Sequence, residues 1–262
     1  MSKRKPPHFR RKPEQTPSPH KAASGLWIYG IHACRALLAN PQRRIHQILV
    51  TRHTADLFDP ADLPESVPVQ IVERTFLDAA LPPESVHQGI AINCEPLPDL
   101  DIADIIALER ADSVVVVLDQ ANDPRNIGSV MRSAAAFGAD AVIVPDRGTP
   151  EVSGSMAKAA AGALESIPFV RVTNLARSLR KLKDAGYWCV GLDGTATQTL
   201  AQTDMTGKTA IVMGAEGTGL RQLTAETCDF LAKIPISGEV ESLNLSIATS
   251  IALYERNRTK TG

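Results

Sequence analysis

Three polar segments hold the residues of this 262-residue chain that could do chemistry. The first is "NDPRNIG" (122–128), which lies between an apolar run at 113–118 and a stretch of helical period that contains Arg132. The apolar run is typical of a buried parallel strand, so the segment occupies a strand–loop–helix junction. Such junctions often bind phosphate through a glycine-rich loop. Because only Gly128 is present here, the segment does not predict a pyrophosphate site.

Two further polar segments follow predicted strands. "MGAEGTGL" (213–220) places Glu216 among three glycines, and "IPISGEVESLNLS" (234–246) contains Ser242 and Asn244. Glycines allow a ligand to approach the backbone closely. Neither segment fits GxGxxG or GxxxxGK[ST], so neither a dinucleotide nor a triphosphate is indicated. Ligands of open α/β sheets bind at the carboxyl ends of strands, so we expect the three segments to converge.

Each of these polar residues also has a purely structural interpretation. Asn126 could cap its helix, Glu216 could be a solvated turn residue, and Ser242 could cap the last helix. Taken singly, the structural interpretation is favoured in each case. The order and spacing of all three segments together favour a shared site.

The elements that must position these segments alternate between strand and helix beyond residue 111. Strands are predicted at 113–119, 140–144, 168–172, 187–192, 208–214 and 230–236, and helices at 126–137, 153–164, 174–186, 220–228 and 243–258. This alternation predicts a mostly parallel sheet with helices on both faces. Periodicity alone predicts an unknotted doubly wound sheet, because knots are rare.

The chain divides into four predicted regions. A compact α/β unit has a helix at 31–39, strands at 45–51, 69–72 and 87–92, and a helix at 73–80. A following stretch rich in proline and acid, with no core period, predicts a linker. The predicted regions are a disordered basic tail at 1–25, a compact α/β unit at 26–95, a linker at 96–110 and a second unit at 111–262.

The charge distribution points to a polyanionic partner. Residues 1–25 hold seven Lys/Arg and one acid, so the chain's net charge of −1 leaves −7 for the remainder. A basic, proline-rich tail is typical of disorder and of nucleic-acid binding, with a solubilising leader as the alternative. No apolar run is long enough for a membrane span, and no secretory segment is seen. The four scattered cysteines predict neither zinc nor disulfides, which favours a reduced, cytoplasmic protein without a metal.

The segments "NDPRNIGSVMRSAAAFGAD", "IVMGAEGTGL" and "IPISGEVESLNLSIATSIALYE" closely resemble the three motifs of the SpoU-type (TrmH-like) RNA 2'-O-ribose methyltransferases of the SPOUT superfamily. The stretch beginning "IYGIHACRALLAN" resembles the ribosomal-protein-L-thirty-e-type domain that precedes the catalytic domain in bacterial large-subunit rRNA guanosine 2'-O-methyltransferases. The resemblance implies an α/β fold, with a C-terminal trefoil-knot (SPOUT) domain preceded by a small ribosomal-protein-like RNA-binding domain.

The resemblance also implies a cofactor, a partner and a site. S-adenosylmethionine would bind in the knot, mainly through backbone groups, and the chain would work as a homodimer. The cofactor-binding residues carried over are Gly214, Ile234 and Leu243, with Leu192, Asp193 and Gly194 lining the pocket. The catalytic residues carried over, which would surround the target nucleotide, are Asn126, Arg132, Glu216, Ser242 and Asn244.

The implied reaction is attack of a ribose 2'-hydroxyl on the sulfonium methyl group. Asn126 and Glu216 would fix Arg132 and the ribose, while Ser242 and Asn244 would support the third segment. Arginine rarely gives up its proton in proteins, so we expect Arg132 to orient the hydroxyl and stabilise negative charge. The proton would pass to phosphate, water or Glu216.

Three alternatives remain at this stage. The same chemistry could act on tRNA, although the extra N-terminal unit favours rRNA. A non-catalytic RNA-binding ribosome-assembly factor is disfavoured by the intact set of polar residues. An oxidoreductase of the doubly wound class lacks its glycine fingerprint.

Overall fold

The computed structural model describes residues 25–238 and 240–261, so the prediction for the basic tail lies almost entirely outside the described residues. The strands are β1 (Leu26–Tyr29), β2 (Ile45–Val50), β3 (Val69–Ile71), β4 (Ile90–Cys94), β5 (Ser113–Leu118), β6 (Ala141–Pro145), β7 (Phe169–Val172), β8 (Trp188–Leu192), β9 (Gln198–Thr199), β10 (Lys208–Met213) and β11 (Phe230–Lys233). The helices are α1 (Ile31–Ala39), α2 (Arg52–Ala55), α3 (Arg74–Ala80), α4 (Ile102–Ile106), α5 (Pro124–Ala136), α6 (Gly154–Ala160), α7 (Leu175–Asp184), α8 (Gln222–Thr227) and α9 (Leu245–Thr261). Across these ranges no helix combines the length and apolar character needed to cross a membrane.

The N-terminal unit is built on a four-stranded sheet with the order β1-β4-β2-β3. β4 is antiparallel to both of its neighbours, while β2 and β3 are parallel. The sequence missed β1, and it started the strand of residues 87–92 too early. Gln88 and Gly89 have φ angles of 55° and 80°, so this stretch turns before β4 begins at Ile90.

The second unit is a parallel sheet of seven strands with the order β7-β6-β5-β10-β8-β11-β9. All six residues of β5 are buried, as expected for a strand covered on both faces. β10 lies between β5 and β8, two strands that precede it in the chain. This order departs from the simple doubly wound sheet that periodicity predicted, because β10 must insert between its neighbours.

The predicted linker and one predicted helix of the second unit differ from the structure. The predicted linker contains α4, which begins at a capping box between Asp101 and Asp104 and buries Ile102 and Ile105. Five helical residues are too few to show a period, so the sequence did not reveal this helix. The helix predicted at 153–164 stops at Ala160, because residue 161 has a left-handed φ of 51°.

The two units pack directly against each other. Arg43 of the N-terminal unit forms a two-pronged, buried ion pair with Glu165 of the second, with N–O distances of 2.9 and 2.8 Å. Asn40 donates a further hydrogen bond of 2.9 Å to the same carboxylate. A Cβ added to Gly154 would lie 2.3 Å from the Tyr29 ring, so only glycine permits this close contact. One apolar core extends through both units.

Candidate active site

The loop after β10 is closed on itself by glycine geometry. Ala215 and Gly219 exchange two backbone hydrogen bonds of 3.0 Å, and Gly217 has a positive φ of 80°. A Cβ on Gly214 would lie 2.2 Å from the carbonyl carbon of Gly219, which no side chain could tolerate. The resulting tight turn holds Glu216 on its exposed side.

Glu216 joins the three polar segments through one carboxylate oxygen. Its Oε1 accepts hydrogen bonds from Asn126 Nδ2 at 2.9 Å, from Asn244 Nδ2 at 2.8 Å and from the Leu245 backbone N–H at 3.0 Å. Asn244 also donates to Asn126 Oδ1 at 3.1 Å. The three segments therefore converge at the carboxyl ends of the strands, and Asn126, Glu216 and Asn244 form one polar cluster.

The helix-cap interpretation of Asn126 is wrong. Asp123 caps α5 instead, because its side chain accepts from the Arg125 N–H at 2.8 Å and Pro124 is the first helical residue. The helix thus begins two residues before its predicted start. Asn126 lies in the first turn, and its amide is free to face Glu216.

The helix-cap interpretation of Ser242 is also wrong. Asn244 immediately precedes α9, and its Oδ1 accepts from the backbone N–H and the hydroxyl of Ser246 at 2.9 and 2.6 Å. Asn244 therefore holds the start of the last helix with one end of its amide and Glu216 with the other. Ser242 is exposed and has no side-chain hydrogen bond to the described residues.

Arg132 stands apart from this cluster. It is exposed on α5, one and a half turns beyond Asn126, and no hydrogen bond or ion pair joins its side chain to residues 25–238 or 240–261. The expectation that Asn126 and Glu216 fix Arg132 is not met, because both side chains bond within the cluster and neither contacts Arg132. The guanidinium is therefore available to a ligand.

The predicted cofactor residues lie at three neighbouring strand ends. Leu192 ends β8, Gly214 follows β10 and Ile234 follows β11, and these strands are adjacent in the order β10-β8-β11. Leu192 and Ile234 are half-buried against the main core. Gly194 is exposed, with open space where a side chain would stand. Apolar side chains beside open backbone at strand ends fit a ligand with a flat ring and polar edges, such as the adenosine of S-adenosylmethionine.

Leu243, the last predicted cofactor residue, lies next to the polar cluster in the chain. It is half-buried and directly precedes Asn244, whose bond to Glu216 draws the third segment towards the glycine loop.

Sequence reasoning missed two residues that position the glycine loop. The carboxylate of Asp119 is buried and accepts from the Arg221 backbone N–H at 3.0 Å and from its Nε at 2.6 Å. The Asp119 N–H donates to the carbonyl of Met213 at 2.7 Å. Asp119 therefore holds both ends of the loop that carries Glu216. An acid directly after a wholly apolar strand was the available signal, since a buried charge requires a partner.

The single glycine of the first segment serves packing. A Cβ on Gly128 would lie 2.3 Å from the Met156 carbonyl oxygen, so this position sets the close approach of α5 to α6. It does not face the polar cluster as a phosphate loop would.

The cysteines form no disulfide. Burial raises the pKa of Cys94 to about 11, and that of Cys189 and Cys228 to about 12. Within the described part of the chain, no group of three or more His, Cys, Asp or Glu side chains could hold a metal ion.

Comparison with known proteins defines the class to which this fold and site belong. The profile of the SpoU rRNA Methylase family matches residues 113–254, and the profile for RNA 2'-O ribose methyltransferase substrate binding matches residues 27–100. The first match covers more than half of the chain and includes all three polar segments. The chain belongs to the SpoU rRNA methylase family.

Named relatives match over nearly their whole length. The 23S rRNA (guanosine-2'-O-)-methyltransferase RlmB of Salmonella typhimurium is 42% identical, covering 89% of this chain and 98% of that protein. RlmB of Pseudomonas putida is 41% identical, covering 89% and 96%. The crystal structure of the SpoU methyltransferase AviRb from Streptomyces viridochromogenes is 23% identical in sequence, with a TM-score of 0.76 over 90% of each chain. A second AviRb structure, in complex with AdoMet, is also 23% identical, with a TM-score of 0.74 over 90% of each chain. The fold is thus the SPOUT fold with a small N-terminal domain, and the unknotted doubly wound sheet is wrong.

Proposed function

We propose that this protein transfers a methyl group from S-adenosylmethionine to a ribose 2'-hydroxyl of RNA, and that the target is a guanosine of 23S rRNA. The observation that carries the proposal is the cluster of Asn126, Glu216 and Asn244, whose side chains are joined at 2.8–3.1 Å. Arg132, one and a half turns beyond Asn126 on the same helix, is exposed and available to the RNA. The 23S rRNA guanosine activity named for the RlmB relatives supports the choice of nucleotide.

The proposed cofactor site consists of Gly214, Ile234 and Leu243, with Leu192 and Gly194 at its edge. The complex of the neighbour AviRb with AdoMet supports this cofactor. When bound, S-adenosylmethionine supplies an electrophilic methyl group on a sulfonium sulfur. The chain's contribution is to fix the loop that Gly214 begins, through the tight turn at Ala215 and Gly219.

The proposed task of Arg132 is to align the nucleophile. A ribose hydroxyl attacks poorly until its proton is shared, and its oxygen must lie in line with the methyl carbon and the sulfur. The guanidinium can bind the adjacent phosphate and donate to the hydroxyl oxygen as negative charge develops. Ser242 is exposed and would support the third polar segment, in which it lies.

The two oxygens of Glu216 would have different tasks. Oε1 already accepts three hydrogen bonds and therefore serves to hold the site together. No described residue donates to Oε2, so this oxygen can accept the ribose proton, with phosphate or water as the other acceptors. General-base assistance of this kind contributes roughly 10²–10⁴-fold in rate.

The remaining regions would serve RNA binding and assembly. We assign RNA binding to the domain at 26–95 and catalysis to the domain at 111–262, with 96–110 as the linker between them. The tail at 1–25 would add basic charge for RNA binding. A homodimer is supported by an exposed apolar stripe on α9, formed by Ile247, Ile251 and Tyr254. An rRNA substrate would place the protein in the cytoplasm.

One experiment tests this function and its alternatives. Ribose methylation is mapped across 23S rRNA and tRNA from cells with and without the gene. We expect one 2'-O-methylguanosine of 23S rRNA to disappear with the gene. Loss of a tRNA methyl group would move the substrate to tRNA. No change in either RNA, with the purified protein unable to bind S-adenosylmethionine in calorimetry, would overturn the enzymatic proposal.

A further inference from the structure

A cleft of about 1030 Å³ lies at the junction of the N-terminal unit and the second unit. Residues of both units line it, among them Trp27, Pro82 and Leu97 on one side and Ser155, Ser166 and Phe169 on the other. Pockets for ligands of nucleotide size have volumes of about 300–1,000 Å³, so the cleft has room for at least one nucleotide.

The cleft opens beside the polar cluster. Pro124 and Arg125, the first two residues of α5, line the cleft, and the next residue is Asn126, which binds Glu216. An RNA strand that presents its ribose to the cluster can therefore place its neighbouring nucleotide at the mouth of the cleft. This continuity joins the cleft to the proposed reaction.

Arg125 is the cation at this mouth that remains available. Three arginines line the cleft, and two of them are engaged: Arg43 by Glu165, and Arg171 by Asp146 and nearby backbone carbonyls. Arg125 is exposed, and its side chain has no hydrogen bond or ion pair with any residue in the described ranges. A phosphate can therefore bind at Arg125.

The interior of the cleft suits a base better than a phosphate. Its lining includes several prolines and the half-buried rings of Trp27 and Phe169. Two exposed acids, Glu84 and Asp99, also line it and would repel a phosphate. A third acid of the lining, Glu151, is paired with Arg171 at 3.2 Å. Unpaired RNA bases bind by stacking on apolar and aromatic surfaces, so this combination favours a base inside and its phosphate outside.

The cleft has its shape before RNA binds. The buried pair of Arg43 and Glu165 and the close contact of Gly154 with Tyr29 hold the two walls together. A site that needs no ordering on binding keeps more of its interaction energy as affinity.

We propose that this cleft binds an unpaired RNA base adjacent to the target nucleotide, with Arg125 binding the phosphate that links the two. The inference rests on the proposed RNA methylation and adds a second recognition site for the same substrate. It gives the protein a means to choose a target by the unpaired nucleotide beside it.

Two variants at exposed positions test base binding in the cleft without changing a core residue. Ser166→Trp fills it from an exposed wall position, and Arg125→Ala removes the mouth cation. Thr173→Trp and Arg180→Ala are matched controls, because both residues are exposed and neither lines the cleft. Affinity for a 23S rRNA transcript is measured at several salt concentrations, and S-adenosylmethionine affinity is measured by calorimetry.

We expect both cleft variants to bind the transcript at least about tenfold more weakly, while the controls and cofactor affinity stay within about twofold. Arg125→Ala should also lower the slope of log affinity against log salt by about 0.7–0.9, the share of one phosphate. With a transcript that contains 4-thiouridine, wild-type crosslinks should map to Trp27 or Phe169. Cleft variants that bind like their controls, or crosslinks confined to other surfaces, would overturn the inference.

The outcomes separate this inference from the proposed function. Unimpaired methylation and RNA binding by both cleft variants would overturn the proposed role of the cleft and leave the proposed methylation unaffected. RNA binding through the cleft by a wild-type protein that methylates no RNA would overturn the proposed function and leave the cleft as a binding site.

Discussion

Asn244 lies 2.8 Å from Glu216, and this hydrogen bond joins the start of the last helix to the glycine loop. The amide nitrogen of Asn244 serves Glu216, while its oxygen caps α9 through Ser246. Any movement of the glycine loop is therefore transmitted to the last helix. Asn244 therefore connects the proposed catalytic cluster with the first turn of α9.

Glu216→Ala should abolish methylation and weaken S-adenosylmethionine binding, because three donors lose their acceptor and the loop loses its tie to α9. Glu216→Gln retains an acceptor oxygen but has no negative charge. We expect it to keep cofactor affinity within a few fold while the single-turnover rate falls by roughly 10²-fold or more. Calorimetry and single-turnover methylation measure the two effects. Equal rates for Glu216→Gln and wild type would exclude Glu216 as a proton acceptor.

Arg132→Ala should abolish methylation with cofactor affinity within a few fold, because we assign the exposed guanidinium to the RNA and not to the cofactor. Arg132→Lys should not restore the rate, since lysine cannot present a planar fork of donors. Stability should stay near wild type, because the side chain has no partner among the described residues. Cofactor binding lost in proportion to activity would instead place Arg132 in the cofactor site.

Asp119→Ala should destabilise the protein and weaken cofactor binding, because it leaves the glycine loop without its anchor. Arg221→Ala should cost less stability, since the Arg221 side chain is half-exposed and Asp119 keeps the backbone N–H as donor. Urea unfolding and calorimetry are carried out on both single variants and the double variant. They give the coupling between Asp119 and Arg221 in stability and in cofactor affinity. Additive effects on stability and cofactor affinity would show that the pair does not act as a unit.

Glu165→Ala should destabilise the whole chain by about 3–5 kcal/mol, because it leaves Arg43 charged and buried without its partner. A fragment lacking residues 1–110 should also be poorly stable. The apolar core that the second unit shares with the N-terminal unit would be partly exposed in such a fragment. Urea unfolding gives the first value, and solubility and circular dichroism assess the fragment. A fragment as stable as the full chain would contradict this account.

The cysteines should react slowly with iodoacetamide at pH 8 in the folded protein and fast in urea. Burial raises the pKa of Cys94 from 9.0 to about 11 and that of Cys228 to about 12. A raised thiol pKa stabilises the fold fully below pH 9, and this contribution is lost as the pH rises through 11 to 12. Unfolding in urea at pH 8.5–11 should therefore show falling stability. In variants with Cys94 and Cys228 changed to Ala, the fall should be smaller.

The sequence predicted the alternation of strands and helices and the convergence of the three segments, because buried runs and polar loops leave local patterns. It did not predict the insertion of β10 between β5 and β8, since strand order has no local signature. The roles of Gly128 and Asp119 also depend on contacts made across the fold. Asp123 and Asn126 are both residue types that favour the cap position, and only the backbone geometry of the structure shows that Asp123 caps α5.

The proposed reaction is tested most directly by incubating the purified protein with S-adenosylmethionine and unmethylated 23S rRNA, then mapping the product by mass spectrometry. We predict one new methyl group, on the ribose 2'-oxygen of a single guanosine, formed by wild type and absent with Arg132→Ala. A methyl group on a base, or unmodified RNA from a protein that binds both the cofactor and the RNA, would contradict the account.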